Sequence, residues 1–189
     1  MTGPMKIKIR MKEAILSALC ALSLTTFAQK YTVEKSNVVF FSDTAIEDIT
    51  AKNSKSMSIF NLETGEIAFS IPIQEFQFAK SLMKEHFNEK YMDTEKFPKS
   101  TFAGKITDFD SKRSGTQNAK AEGRLTIHGV TRDVDIPGTV EIDGDKILLK
   151  SKFIVKLEDY NVNRPQLLWK NIAEQVEVTV EFTYKPHEN

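Results

Sequence analysis

The chain carries little of what chemistry usually needs. One cysteine and three histidines serve 189 residues, and His86, His128 and His187 lie far apart with no i, i+4 pair, so no zinc-binding spacing exists. No Gly-x-Ser-x-Gly elbow, phosphate loop or dinucleotide fingerprint occurs, which removes the common signatures of nucleophilic, phosphoryl-transfer and hydride chemistry. Charge of one sign is also missing. The 26 Lys and Arg face 26 Asp and Glu, a balance that offers a phosphate backbone no basic surface. Neither catalysis nor nucleic-acid binding is expected, and no metal or cofactor is called for.

Long apolar runs are absent too. Ala14 to Leu24 is apolar but falls short of the roughly 20 residues that span a bilayer. Behind it stand Lys6, Lys8, Arg10 and Lys12, and basic residues before a short apolar run read as a secretory leader. Thr26-Phe27-Ala28 places small residues before a cut, so residues 1–28 are expected to be a signal peptide and 29–189 the mature domain. Cys20 follows Leu19 rather than a small residue, which argues against a lipoprotein signal. The mature chain then has no cysteine, three more acidic than basic residues and no membrane span. Export brings it no disulfides, so a single core must hold it.

What is present is a period of two. Ile67, Phe69, Ile71 and Ile73 alternate with Glu66, Ala68, Ser70 and Pro72, the pattern of a half-buried strand with an edge or bulge at the proline. Val176, Val178, Val180, Phe182 and Tyr184 alternate with Glu177, Thr179, Glu181 and Thr183. Val38 to Phe41 is apolar throughout and suits a strand buried on both faces. Asp143-Gly144 signals a hairpin between 134–142 and 146–157. Residues 111–119 are polar and read as an exposed loop, and 161–171 as a second irregular stretch. One segment, 79–92, breaks the period: Leu82, Met83, Phe87 and Tyr91 recur at steps of three and four, predicting an amphipathic helix of about three turns. The predicted fold is all-β, an antiparallel barrel or sandwich with one inserted helix; both give the same alternation, and the barrel is favoured because closure removes exposed edges.

Two stretches carry a family resemblance. Phe97-Pro98-Lys99-Ser100-Thr101-Phe102 starts a strand at a proline, and Gly123-Arg124-Leu125-Thr126-Ile127-His128-Gly129-Val130-Thr131 runs from strand to turn to strand. Together they resemble the paired motifs of the YceI-like family, and the resemblance extends from Tyr31 to Tyr184. It implies an eight-stranded lipocalin-like barrel with a helix packed against it, located in the periplasm or secreted, that binds a polyisoprenoid or other long-chain lipid. Where relatives carry an Arg-Asp pair and a histidine followed by Phe-Phe, this chain has Leu82 to Phe87 and Tyr91-Met92. Their His-Ser is replaced by Ser36-Asn37. The matched motifs are structural in kind: Gly123 and Gly129 suit turns or bulges, and His128 suits a turn.

Of 13 phenylalanines, eight fall between Phe60 and Phe109. An apolar tail needs such a lining, since each buried CH₂ contributes about 0.8 kcal/mol without directional chemistry. Candidate ligand contacts are Phe69, Phe76, Phe78, Leu82, Met83, Phe87, Tyr91, Met92, Phe102, Leu125 and Ile127. The leading expectation is an exported, non-enzymatic barrel with an apolar tunnel for carriage or sequestration of a lipid. The alternative is an envelope or stress interaction protein whose barrel is filled by its own side chains. The sequence leaves a homodimer open.

Overall fold

The computed structural model describes residues 30–44, 48–163 and 173–187; the expected leader and most of the second irregular stretch lie outside them. Ten strands follow in order: β1 (Lys30–Ser42), β2 (Ile49–Asn53), β3 (Met57–Asn61), β4 (Glu66–Pro72), β5 (Gln77–Phe78), β6 (Lys99–Thr107), β7 (Gly115–Ile127), β8 (Val130–Asp143), β9 (Lys146–Lys156) and β10 (Gln175–Pro186). Every pairing is antiparallel, and β10 returns to β1 to close the sheet. β1 meets β3 along its first residues and β2 along its last. β2 and β3 are thus one strand position interrupted at 54–56, and β5 prolongs β4 in the same way to pair with β2. Eight strand positions therefore form the closed barrel, as expected.

Turn chemistry sets the register. His128 and Gly129 both adopt positive φ, 49° and 74°, between the partners Ile127 and Val130, the type I′ geometry that matches strand twist. At the next hairpin Gly144 has φ 56° but Asp145 does not, and Asp143 already pairs with Lys146. The turn is therefore centred on Gly144-Asp145, one residue later than expected, with glycine first as a type II′ turn requires.

Four local expectations are corrected. Residues 115–119 belong to β7, because the polar Gln117 turns inward and serves the neighbouring loop: it accepts from Asp110 N–H at 3.0 Å and donates to the carbonyls of Asp110 and Arg113 at 3.0 and 2.8 Å. β1 is not buried on both faces; Val38 and Phe40 point inward, whereas Val39 and Phe41 are half-buried on the outside. Gly123 is neither a turn nor a bulge. It pairs with Gly104 in regular strand, and a Cβ there would lie 2.6 Å from Gly104 Cα and 2.9 Å from the Phe102 ring. The helix begins as α1 (Ser81–His86) and continues as a π-helical turn over Phe87–Tyr91.

Proline and asparagine explain where the wall breaks. Pro72 ends β4 with no ring N–H to offer a further ladder bond, and the chain passes into a short 3₁₀ turn, Ile73–Glu75. Asn53, fully buried, stitches both interruptions together. Its Nδ2 donates to the Pro72 carbonyl at 2.7 Å, and its Oδ1 accepts from Lys55 N–H at 2.8 Å and Ser56 Oγ at 3.2 Å.

Candidate functional site

The interior is solid at one end and hollow at the other. In the solid half Phe60, Tyr184 and Ile147 are essentially inaccessible, with Phe60 packed between Phe109 and Tyr184 at ring separations of 6.2 and 5.7 Å. In the other half Phe40, Phe153, Val176 and Val178 also point inward but remain half-exposed. They pack against the core and border empty space on their remaining side. That space is a cavity of about 150 Å³.

Its wall is built from the inward positions of β1, β4, β6, β7, β9 and β10, together with the 3₁₀ turn, β5 and the helix. Four phenylalanines from four different elements cap the helix end. Phe87 stacks on Phe40 (5.3 Å, 24°) and meets Phe76 edge-on (5.7 Å) and Phe78 at a tilt (5.0 Å). Phe40 also touches Phe76 and Phe78, at 5.4 and 5.8 Å. These are the spacings at which aromatic pairs gain beyond simple burial. Only Ser42, Tyr91 and Ser100 bring polar side-chain atoms to the lining. Burial raises the pKa of Tyr91, which keeps its phenol neutral and able to donate.

Of the eleven candidate contacts, Phe69, Phe76, Phe78, Met83, Phe87, Tyr91, Met92, Leu125 and Ile127 line this one cavity. Leu82 does not. It is 59% exposed, because the helix turns Met83, Phe87 and Tyr91 inward at steps of four, and a residue one place earlier is rotated by about 100°. Phe102 lies deeper, against a second void of about 60 Å³. The two voids share Phe69, Phe153 and Val180, so the interior is two compartments and not a continuous tunnel. A barrel filled by its own side chains describes the solid half only.

Sequence reading passed over the rest of the lining, to which β1, β9 and β10 contribute Val38, Phe40, Phe153, Val155, Val176, Val178 and Val180. Alternation gave their direction for β10, whereas the continuous apolar run of β1 suggested burial on both faces and so no direction. Alternation gives no sign of which barrel end is left unfilled, because that depends on where strands two or more positions apart come level.

Among the described residues no group of three or more His, Cys, Asp or Glu could hold a metal ion. None of their helices is long and apolar enough to cross a membrane. The cavity offers apolar area, two serine hydroxyls and one phenol, and His86 is not part of it.

Comparison with known proteins places this architecture. The sequence profile of the YceI-like domain matches residues 30–184. No curated protein sequence matches the chain. Among solved structures it is similar to a polyisoprenoid binding domain from Saccharophagus degradans implicated in plant cell wall breakdown, with a TM-score of 0.72 and 16% identity over 83% of this chain and 98% of that one. It is also similar to BcnA from Burkholderia cenocepacia, at TM-score 0.67 and 18% identity over 78% and 95% of the two chains. A Campylobacter jejuni YceI protein matches at TM-score 0.55 and 14% identity over 84% and 85%. At such identities the likeness is one of fold, the closed eight-stranded antiparallel barrel.

Proposed function

Because the chain belongs to the YceI-like family, we propose that it is a lipid-binding protein whose hollow half holds the tail of a polyisoprenoid or similar long-chain lipid. One observation carries this reading. A cavity with 23 lining residues has polar side-chain atoms on only three of them, next to a helix whose inward face is Met83, Phe87 and Tyr91. Such a lining rewards any apolar chain by area, and its methionines adapt to irregular shapes. The polyisoprenoid binding of the Saccharophagus degradans domain supports the choice of ligand class.

Size matters to how it would work. A void near 150 Å³ accommodates about the six carbons of benzene, so a longer tail is received by moving the phenylalanine cap. The helix is the element that gives way, because no residue of Ser81–His86 is buried and Leu82 is largely exposed. We read the leader as an export signal and the mature protein as a non-enzymatic carrier or store on the far side of the membrane, in a periplasm.

The test is extraction of the purified mature protein into organic solvent with mass spectrometry of the extract. A stoichiometric prenyl or acyl lipid is expected, and farnesol added at 100 times its Kd should raise stability by about 2.7 kcal/mol. Repeated preparations without lipid, together with no rise in melting temperature on adding farnesol, would sink the reading.

A further inference from the structure

The two interior voids meet at Phe69, Phe153 and Val180, which line both, and Phe69 belongs to a layer of stacked aromatic rings. Phe102 lies against the barrel wall, where the facing pair Gly104 and Gly123 leaves room for its ring. Phe69 of β4 stacks on Phe102 at 5.1 Å and 14°. From the far side of the barrel Phe182 of β10 meets Phe69 at 5.6 Å and 48°. The layer spans the interior from β6 to β10.

Its three members are not equivalent. Phe102 and Phe182 are 2% and 1% exposed and border only the smaller void. Phe69 is only half-buried, and it borders the larger void on one side and the smaller on the other. Below it, Ala119 and Ala121 keep the smaller void open; larger side chains there would fill it. A bound tail that reaches Phe69 meets a ring with free space behind it.

We propose that Phe69 is the chain-length stop of the binding cavity, the residue that decides how deep a tail can go. This rests on the lipid-binding reading and adds what limits it. Tails short enough to end above the ring gain affinity with every carbon. Longer ones place further carbons outside the cavity and gain nothing more. Removing the ring would merge the compartments and add room for about two carbons, on the scale in which 150 Å³ holds benzene, besides the volume of the ring itself.

The experiment uses the purified mature protein and straight-chain 1-alkanols from hexanol to tetradecanol as probes, with affinities from calorimetry. In the wild type, affinity should rise about fourfold per methylene to a limiting length and then level off. Phe69→Ala should move that limit to longer chains by at least two carbons, and Phe69→Ala combined with Ala121→Val, which refills the smaller void, should move it back. Phe69→Leu is expected to shift it in the same direction by less, which keeps the proposal testable if the alanine variant does not fold. A limit unchanged in the Phe69 variants, or wild-type affinity still rising at tetradecanol, overturns the stop while leaving lipid binding intact. If no alkanol binds the wild type at any length, the lipid-binding reading fails and the stop fails with it.

Discussion

Tyr184 shows how a single polar atom is accommodated in the solid half. Ser58 Oγ donates its only proton to the Ala68 carbonyl at 2.9 Å, so at the 2.7 Å contact between the two hydroxyls Tyr184 is the donor. The phenol is thereby satisfied inside an apolar core, and Tyr184→Phe should cost about 1 kcal/mol at neutral pH in urea denaturation. Burial, opposed only by the Ser58 bond, holds the Tyr184 pKa well above its ordinary value of 10.0. Below pH 10 both folded and unfolded chains keep the proton, so the group's contribution is fully present. As pH rises through 10 the unfolded chain loses the proton while the folded chain retains it, and stability falls. A single such group gives a slope of about 1.4 kcal/mol per pH unit. Wild-type urea midpoints should decline above pH 10, and Tyr184→Phe should lower that slope without removing it, since burial also raises Tyr31, Tyr91 and Tyr160. Identical slopes in the two proteins would place the alkaline transition elsewhere.

Between elements, the decisive junction is the broken wall at β2/β3 and β4/β5. Asn53 closes it with three hydrogen bonds, and the break is what directs β5 and the helix over the hollow end. Asn53→Ala should cost about 1–3 kcal/mol, because the Pro72 carbonyl loses its donor in a buried place. The same variant should loosen the helix, seen as faster hydrogen exchange over 81–91 than over β7 and β8. Equal protection in both regions would show that the junction does not carry the helix. Much around this junction was legible beforehand. Steps of three and four marked the helix, and the Phe97-Pro98 and His128-Gly129 motifs fell at the strand start and turn they suggest, whereas Pro72, read as an edge or bulge in a strand running on to Ile73, is the end of that strand. Asn53 was not legible, since an asparagine between strands looks like any loop residue until Pro72 is brought beside it. The π-helical turn and the inward Gln117 escaped for a related reason: each is fixed by partners distant in space, which periodicity does not register. Among the candidate contacts, Leu82 was misplaced because helical spacing defines a stripe but not its centre line.

At the scale of the whole molecule, the barrel divides into a half that supplies stability and a half that keeps space. A phenylalanine introduced at two positions should therefore have opposite consequences. Ile147, inaccessible in the solid half and bordering neither void, has no room for a larger side chain, so Ile147→Phe should cost about 1–3 kcal/mol through overpacking. Val178 lines the hollow half, so Val178→Phe should leave the urea midpoint within about 0.5 kcal/mol of wild type while abolishing alkanol binding. Equal destabilisation at both sites would mean that the two halves are packed alike. The division also has a simple origin in β1, where Val33 pairs with Tyr184 and Lys35 already pairs with Thr183, leaving Glu34 as one surplus residue. That bulge changes the parity of the strand: odd-numbered residues, Tyr31 and Val33, face inward before it, and even-numbered ones, Val38, Phe40 and Ser42, after it. β1 is in effect written in two reading frames joined at Glu34. Deleting that residue would remove the bulge and leave Val38 and Phe40 facing inward, whereas a β1 that ran regularly through Glu34 would exchange Phe40 for Phe41 at the cavity wall and turn Val38 out to solvent.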